Sequence, residues 1–218
     1  MTSTTILCDL DGTLVDSRHD ISVAFQRAWR TVVGGIPPSA TTIAQHIGKP
    51  LADMLADLGG RLSPSLLDTF MAVYRRTYAS QATRWTRPYP GVVLTLQALS
   101  TFTLAVVTTK ETSQAEIVLR HLALVPFFQH IQGGSAGLRH KPAPDTILAA
   151  LTALRCKPRH ALMVGDTPAD ILAGKAAGAM TCAATYGYGG REALLRCAPD
   201  YVIDSFGELA DVVQESRG

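Results

Sequence analysis

Short apolar runs, several of them β-branched, recur along the chain: TILCD (Thr5–Asp9), TLAVVTT (Thr103–Thr109), ALMVGD (Ala161–Asp166), MTCAAT (Met180–Thr185) and YVID (Tyr201–Asp204). Their apolar character is nearly continuous rather than alternating, which predicts strands buried on both faces. Helical periodicities lie between them. Ser113–Leu122 opens with SQAE, which reads as a capping box, and Asp145–Leu154 carries apolar residues at helical spacing. Strand and helix patterns in alternation predict an α/β fold with a doubly wound parallel sheet.

The pattern breaks between the first strand and the second. From Asp16 to Tyr89 no stretch reads as a strand, whereas Ile21–Val33, Leu51–Leu58 and Pro64–Gln81 are amphipathic at helical spacing. GGIPP (Gly34–Pro38) and RPYPG (Arg87–Gly91) supply the turns. We therefore expect a core made of residues 1–15 and 90–218, interrupted by a helical insertion at 16–89.

Composition narrows the functional classes. The 218 residues are 47% hydrophobic and 17% charged with a formal net charge of +2, a globular balance with no general case for nucleic acid or a membrane surface as partner. No window approaches the roughly 20 apolar residues of a membrane span, and MTSTTILCDL lacks the basic start and long apolar stretch of a signal peptide. Cys8, Cys156, Cys182 and Cys197 are scattered without CxxC or zinc spacing, which fits reduced thiols. The expectation is a cytoplasmic protein, monomer or homodimer.

In open α/β sheets ligands bind beyond the carboxyl ends of the strands. The predicted strand ends deliver Asp9 and Asp11, then Thr108 and Thr109, then Asp166 to one edge. Acids after a strand also serve as turn residues and helix caps, so DxD alone says little. DLDGTLVDS, VVTTK, KPAPD and VGDTPAD, in this order, resemble the four signature motifs of the haloacid dehalogenase superfamily, phosphatase branch. HIGKPL (His46–Leu51) and YPGV (Tyr89–Val92) further resemble the phosphoglycolate phosphatase-like group, whose helical cap follows the first motif.

The resemblance implies a Rossmann-like core and hydrolysis of a small phosphorylated metabolite through an aspartyl-phosphate. Asp9 is then the nucleophile, and Asp11, on the same side of an extended chain, the general acid and later base. Gly12 lets the chain turn beside the phosphate, and Thr108 and Lys141 clamp it, with Thr109 beside them. Mg2+ is the implied cofactor, with Asp9, Asp166, Asp170 and the Asp11 backbone carbonyl as its ligands; Asp170 alternatively orients water or Lys141. The family often has asparagine at the position of Thr109 and a large apolar residue at that of Cys8.

Lys49, the only lysine of the expected cap, is a candidate contact for a substrate carboxylate. Arg75, Arg76, Arg84 and Arg87 read as solvated charges. The six histidines show no HExxH, and GGSAG (Gly133–Gly137) and YGYGG (Tyr186–Gly190) lack GxGxxG and read as turns. Related chemistries remain as alternatives: pyrophosphatase, phosphomutase, or phosphonoacetaldehyde hydrolase with Lys49 as the Schiff-base lysine, against which Asp11 argues. A non-catalytic phospho-ligand-binding regulator is the rival from another class.

Overall fold

The computed structural model describes residues 4–81, 84–135 and 137–215. Its chain runs β1 (Thr5–Cys8), β2 (Val15–Asp16), α1 (Arg18–Ala28), α2 (Ala40–Ala44), α3 (Leu51–Asp57), α4 (Pro64–Gln81), β3 (Arg87–Pro88) and α5 (Val92–Ala98). It continues through β4 (Thr103–Glu111), α6 (Thr112–His121), β5 (His130–Gly134), α7 (Asp145–Ala153), β6 (Ala161–Gly165), α8 (Pro168–Ala177), β7 (Met180–Ala184), α9 (Arg191–Arg196), β8 (Tyr201–Ile203) and α10 (Leu209–Glu215).

Six strands form one parallel sheet in the order β5-β4-β1-β6-β7-β8. Side-chain alternation divides the core between its two faces. Ile6, Cys8, Leu104, Val106, Leu162 and Val164 join the cluster that contains Val92 and Leu96 of α5, Val118 of α6 and Leu209 of α10. Leu7, Ala105, Val107 and Met163 join Ile147 and Leu151 of α7 and Ala173 of α8. A strand with an apolar partner on each face must be apolar throughout, which is why these runs show no polar alternation.

Between β2 and β3 the regular structure of the described residues is all helical, and the two short strands pair antiparallel at the two ends of that stretch. Phe25 of α1 packs edge-on against Phe70 of α4 at 5.3 Å between ring centroids. The buried Asp20 carboxylate fastens the returning chain: one oxygen accepts from the Thr86 amide at 2.7 Å, the Thr86 hydroxyl at 2.6 Å and the Trp85 amide at 3.2 Å.

Several local expectations need correction. Helix α6 starts at Thr112 with Glu111 in the cap position and no side-chain capping bond, so SQAE is not a capping box here. Strand β4 runs two residues beyond Thr109 to Glu111, with an irregularity against β5. Gly133 and Gly134 are strand residues of β5 rather than part of a turn; a Cβ on Gly133 would sit 2.3 Å from the Thr112 amide nitrogen, so closeness to the next element selects glycine. Ile21–Val33 is one helix only to Ala28 and then widens into a π-helical turn, Trp29–Val33. The short α2 was not anticipated; Ser39 caps it by accepting from the Thr42 amide.

Candidate active site

The three central strands β4, β1 and β6 end side by side, and each contributes to one cluster. Asp9 follows β1 directly and Asp166 follows β6, while Asp170 sits in the first turn of α8. Carboxylate oxygens of Asp9, Asp166 and Asp170 all lie within 4.8 Å of one another, and all three residues are buried. Lys141 enters from the loop after β5: its Nζ lies 2.7 Å from Asp9 Oδ1, contacts Asp170 Oδ1, and donates to the Val107 carbonyl at 2.9 Å.

Burial pushes the Asp9 carboxyl up to about 7, opposed by Lys141 and reinforced by the charge of Asp170. Asp166 is driven upward by its own burial and then by Asp170 and Asp9. Burial alone would lower the Lys141 ammonium, but Asp170 and Asp9 outweigh it, so that Lys141 holds its proton more tightly than an ordinary lysine.

Asp170 is committed on both oxygens. Its Oδ2 accepts from the Thr167 amide at 3.0 Å and from the Thr167 hydroxyl at 2.6 Å, closing the capping box of α8, while Oδ1 faces Lys141. That arrangement orients Lys141. Asp166 accepts from the Thr13 hydroxyl on Oδ1 and from the Tyr188 amide on Oδ2, each at 2.8 Å. The YGYGG stretch is a turn as expected, and it also supplies this amide to the site.

Asp11 has partners that sequence reasoning missed. Ser17 Oγ donates to its Oδ1 at 2.5 Å, and the Lys110 ammonium stands 3.2 Å from its Oδ2 with the Lys110 side chain only 6% exposed. The same ammonium lies over the ring of Tyr78, 4.1 Å from its centroid. Both residues were inside the quoted motifs, Ser17 ending DLDGTLVDS and Lys110 ending VVTTK; strand alternation was the available signal, since Thr108 and Lys110 share a face of β4.

Gly12 has φ +101°, and a Cβ there would lie 2.2 Å from Asp166 Oδ2, so both backbone conformation and space require glycine. Thr108 is buried, and its Oγ1 accepts from the Lys110 amide at 3.2 Å, leaving the hydroxyl proton available for an acceptor. Thr109 instead reaches the inserted segment, its hydroxyl donating to the Gly48 carbonyl at 3.0 Å. Lys49 is half exposed and engaged with Asp57, 2.6 Å away, rather than brought to the acids.

A cavity of about 300 Å³ lies between the helical segment and the sheet, with Asp11, Thr109 and Lys110 on the sheet side and Ile47, Met54 and Tyr74 on the other. Arg75 of α4 pairs with Glu111 across the same interval. The acids that meet here, Asp9, Asp11, Asp166 and Asp170, outnumber the buried ammonium groups, Lys110 and Lys141, by two negative charges when all are ionised. An all-oxygen, buried donor set with that excess suits a hard divalent cation.

The family model described as haloacid dehalogenase-like hydrolase matches residues 6–184. The chain belongs to the haloacid dehalogenase-like hydrolases. Among relatives of this hydrolase, a phosphoglycolate phosphatase from Aquifex aeolicus is 36% identical over 185 residues, covering 84% of this chain and 85% of the relative. A pyrophosphatase, PpaX, from Halalkalibacterium halodurans is 34% identical over 211 residues, covering 96% of each chain. The fold is similar to that of a haloacid dehalogenase-like family hydrolase from Streptococcus pneumoniae, with a TM-score of 0.84, 31% identity and 99% of each chain covered.

Proposed function

We propose that this haloacid dehalogenase-like hydrolase is a magnesium-dependent phosphatase of small phosphate esters, working through a phosphoryl group carried transiently on Asp9. The observation that carries the reading is the pairing of Lys141 with Asp9 inside an acidic cluster: a nucleophile can meet a phosphate dianion only where positive charge offsets their repulsion. Relatives named as phosphoglycolate phosphatase and pyrophosphatase support phosphoryl chemistry and put phosphoglycolate first among substrates, with pyrophosphate second.

A carboxylate oxygen of Asp9 attacks phosphorus and the ester P–O bond breaks. Asp11 gives its proton to the departing oxygen, then takes one from the water that attacks the acyl phosphate, releasing inorganic phosphate and restoring Asp9. Ser17 and Lys110 fix the Asp11 carboxyl through one oxygen each. The Thr108 hydroxyl and the Lys141 ammonium bind phosphoryl oxygens, and Asp170 keeps Lys141 in place. Asp9 and Asp166 would hold Mg2+, whose charge, when bound, offsets that of the phosphoryl group.

Residues 16–89 act as the cap, sealing the cavity from bulk water around a bound ester. No helix among the described residues is long and apolar enough to cross a membrane, and the four unpaired cysteines fit a reducing cytoplasm.

The test is phosphate release from phosphoglycolate, pyrophosphate and p-nitrophenyl phosphate with magnesium or with a chelator. Turnover that requires the metal and disappears in Asp9→Ala is expected. Turnover indifferent to both would overturn the reading.

A further inference from the structure

The cavity beside Asp11 is chemically lopsided. Its helical side is lined by apolar groups such as Ile47, Met54 and Met71, whereas the opposite side carries Asp11, Lys110, Glu111, Gln114 and His140. Gln114, in the first turn of α6, is 7% exposed, and its Nε2 has no hydrogen-bond partner among the described residues. His140 lines the same cavity with its buried Nδ1 also unpartnered. Leaving a buried donor unpaired costs about 1–3 kcal/mol, so an amide in this position implies an acceptor supplied from elsewhere.

Lys110 adds the charge. Its ammonium has three N–H donors, of which the Asp11 carboxylate 3.2 Å away takes one, and its aliphatic stem is enclosed. The other acid of the cavity, Glu111, is already neutralised by Arg75, and Lys49 by Asp57. The cavity therefore offers the ammonium N–H groups of Lys110 that Asp11 does not take, together with an amide donor lacking a partner, next to the group that would protonate the leaving oxygen.

We propose that Lys110 and Gln114 form a leaving-group subsite that reads an acceptor-only anion, a carboxylate or a second phosphate, attached close to the scissile oxygen. This rests on the phosphatase reading and adds a selection rule to it: small esters with an anionic leaving group are preferred over esters of the same size whose leaving group is neutral. At about 300 Å³ the cavity fits a leaving group of a few heavy atoms.

The experiment compares kcat/KM for phosphoglycolate, pyrophosphate and hydroxyethyl phosphate, the last a neutral counterpart of the first, using the magnesium-loaded enzyme. Wild type is expected to favour at least one of the two anionic substrates over hydroxyethyl phosphate by roughly 100-fold, and Gln114→Leu to shrink that ratio about tenfold, mainly through KM. Gln114→Glu, closest in shape, is expected to shrink it further by charge repulsion. Equal wild-type efficiency on all three substrates, or a Gln114→Leu loss shared equally by all three, overturns the subsite and leaves the phosphatase reading standing. Failure of the wild type to release phosphate from any of them removes both.

Discussion

Lys141 and Asp170 face each other in the interior, and the acid that orients the lysine is itself anchored by the helix it begins, through the Thr167 amide and hydroxyl. The buried ammonium of Lys141 is thus positioned by a helix cap. Removing the lysine leaves Asp9 and Asp170 without the ammonium that pairs with them, since the other buried cation, Lys110, is paired with Asp11. Lys141→Met is expected to destabilise the metal-free protein by about 3–5 kcal/mol at pH 8, and by less at pH 5, where Asp9 takes up a proton. Chemical denaturation at the two pH values measures this; equal losses at both would contradict it.

Asp9 makes the stability of the chelated protein depend on pH. Its folded-state value of about 7 lies above the ordinary 3.8, so the native state binds more protons than the unfolded one between those values. The contribution of Asp9 is therefore most favourable below about pH 4 and declines as pH rises through 7. Asp9→Asn removes this dependence, and its Tm advantage over the parent should grow across that window and then level off. A difference that is flat with pH, or largest in acid, goes against the assignment.

Gly12 and Gly59 offer a matched comparison. Both have positive φ, +101° and +85°, but a Cβ at Gly12 collides with Asp166 whereas one at Gly59 meets nothing within 4 Å. Gly59→Ala should cost about 1 kcal/mol from backbone strain alone, and Gly12→Ala several times that together with loss of turnover. Parallel denaturation curves decide the point; similar costs would show that the space beside Asp166 is unimportant.

Ser17 holds Asp11 from one side. Ser17→Ala should lower kcat by roughly tenfold while changing KM little, because in the proposed mechanism the lost bond orients a group that acts in the transition state rather than in binding. Steady-state kinetics with phosphoglycolate reads the split, and a change confined to KM would place Ser17 in substrate binding instead.

Much of this molecule is visible in its sequence because burial on two faces leaves an unmistakable apolar run. The strands carrying Asp9, Thr108 and Asp166 start where expected, and parallel order brings their ends together. β5 escaped because HIQGG is short and two of its five residues are glycine, Gly133 crowded by the Thr112 backbone and Gly134 by the Thr109 carbonyl rather than chosen by strand preference. Ser17 and Lys110 were overlooked for another reason. Their partner is a single carboxylate, Asp11, six residues before Ser17 and far from Lys110 in the chain, and only the alternation that puts Lys110 on the face of Thr108 hints at it. Lys49 shows the converse, the one lysine of an expected cap, which the fold commits to Asp57 eight residues later.

The most direct measurement is rapid quenching of the magnesium-loaded enzyme during turnover of phosphoglycolate, followed by mass spectrometry of the peptide containing residues 5–16. A phosphoryl adduct on Asp9 that forms and decays as fast as phosphate appears is the predicted result. An adduct on another residue, or steady turnover by Asp9→Ala, would contradict the account.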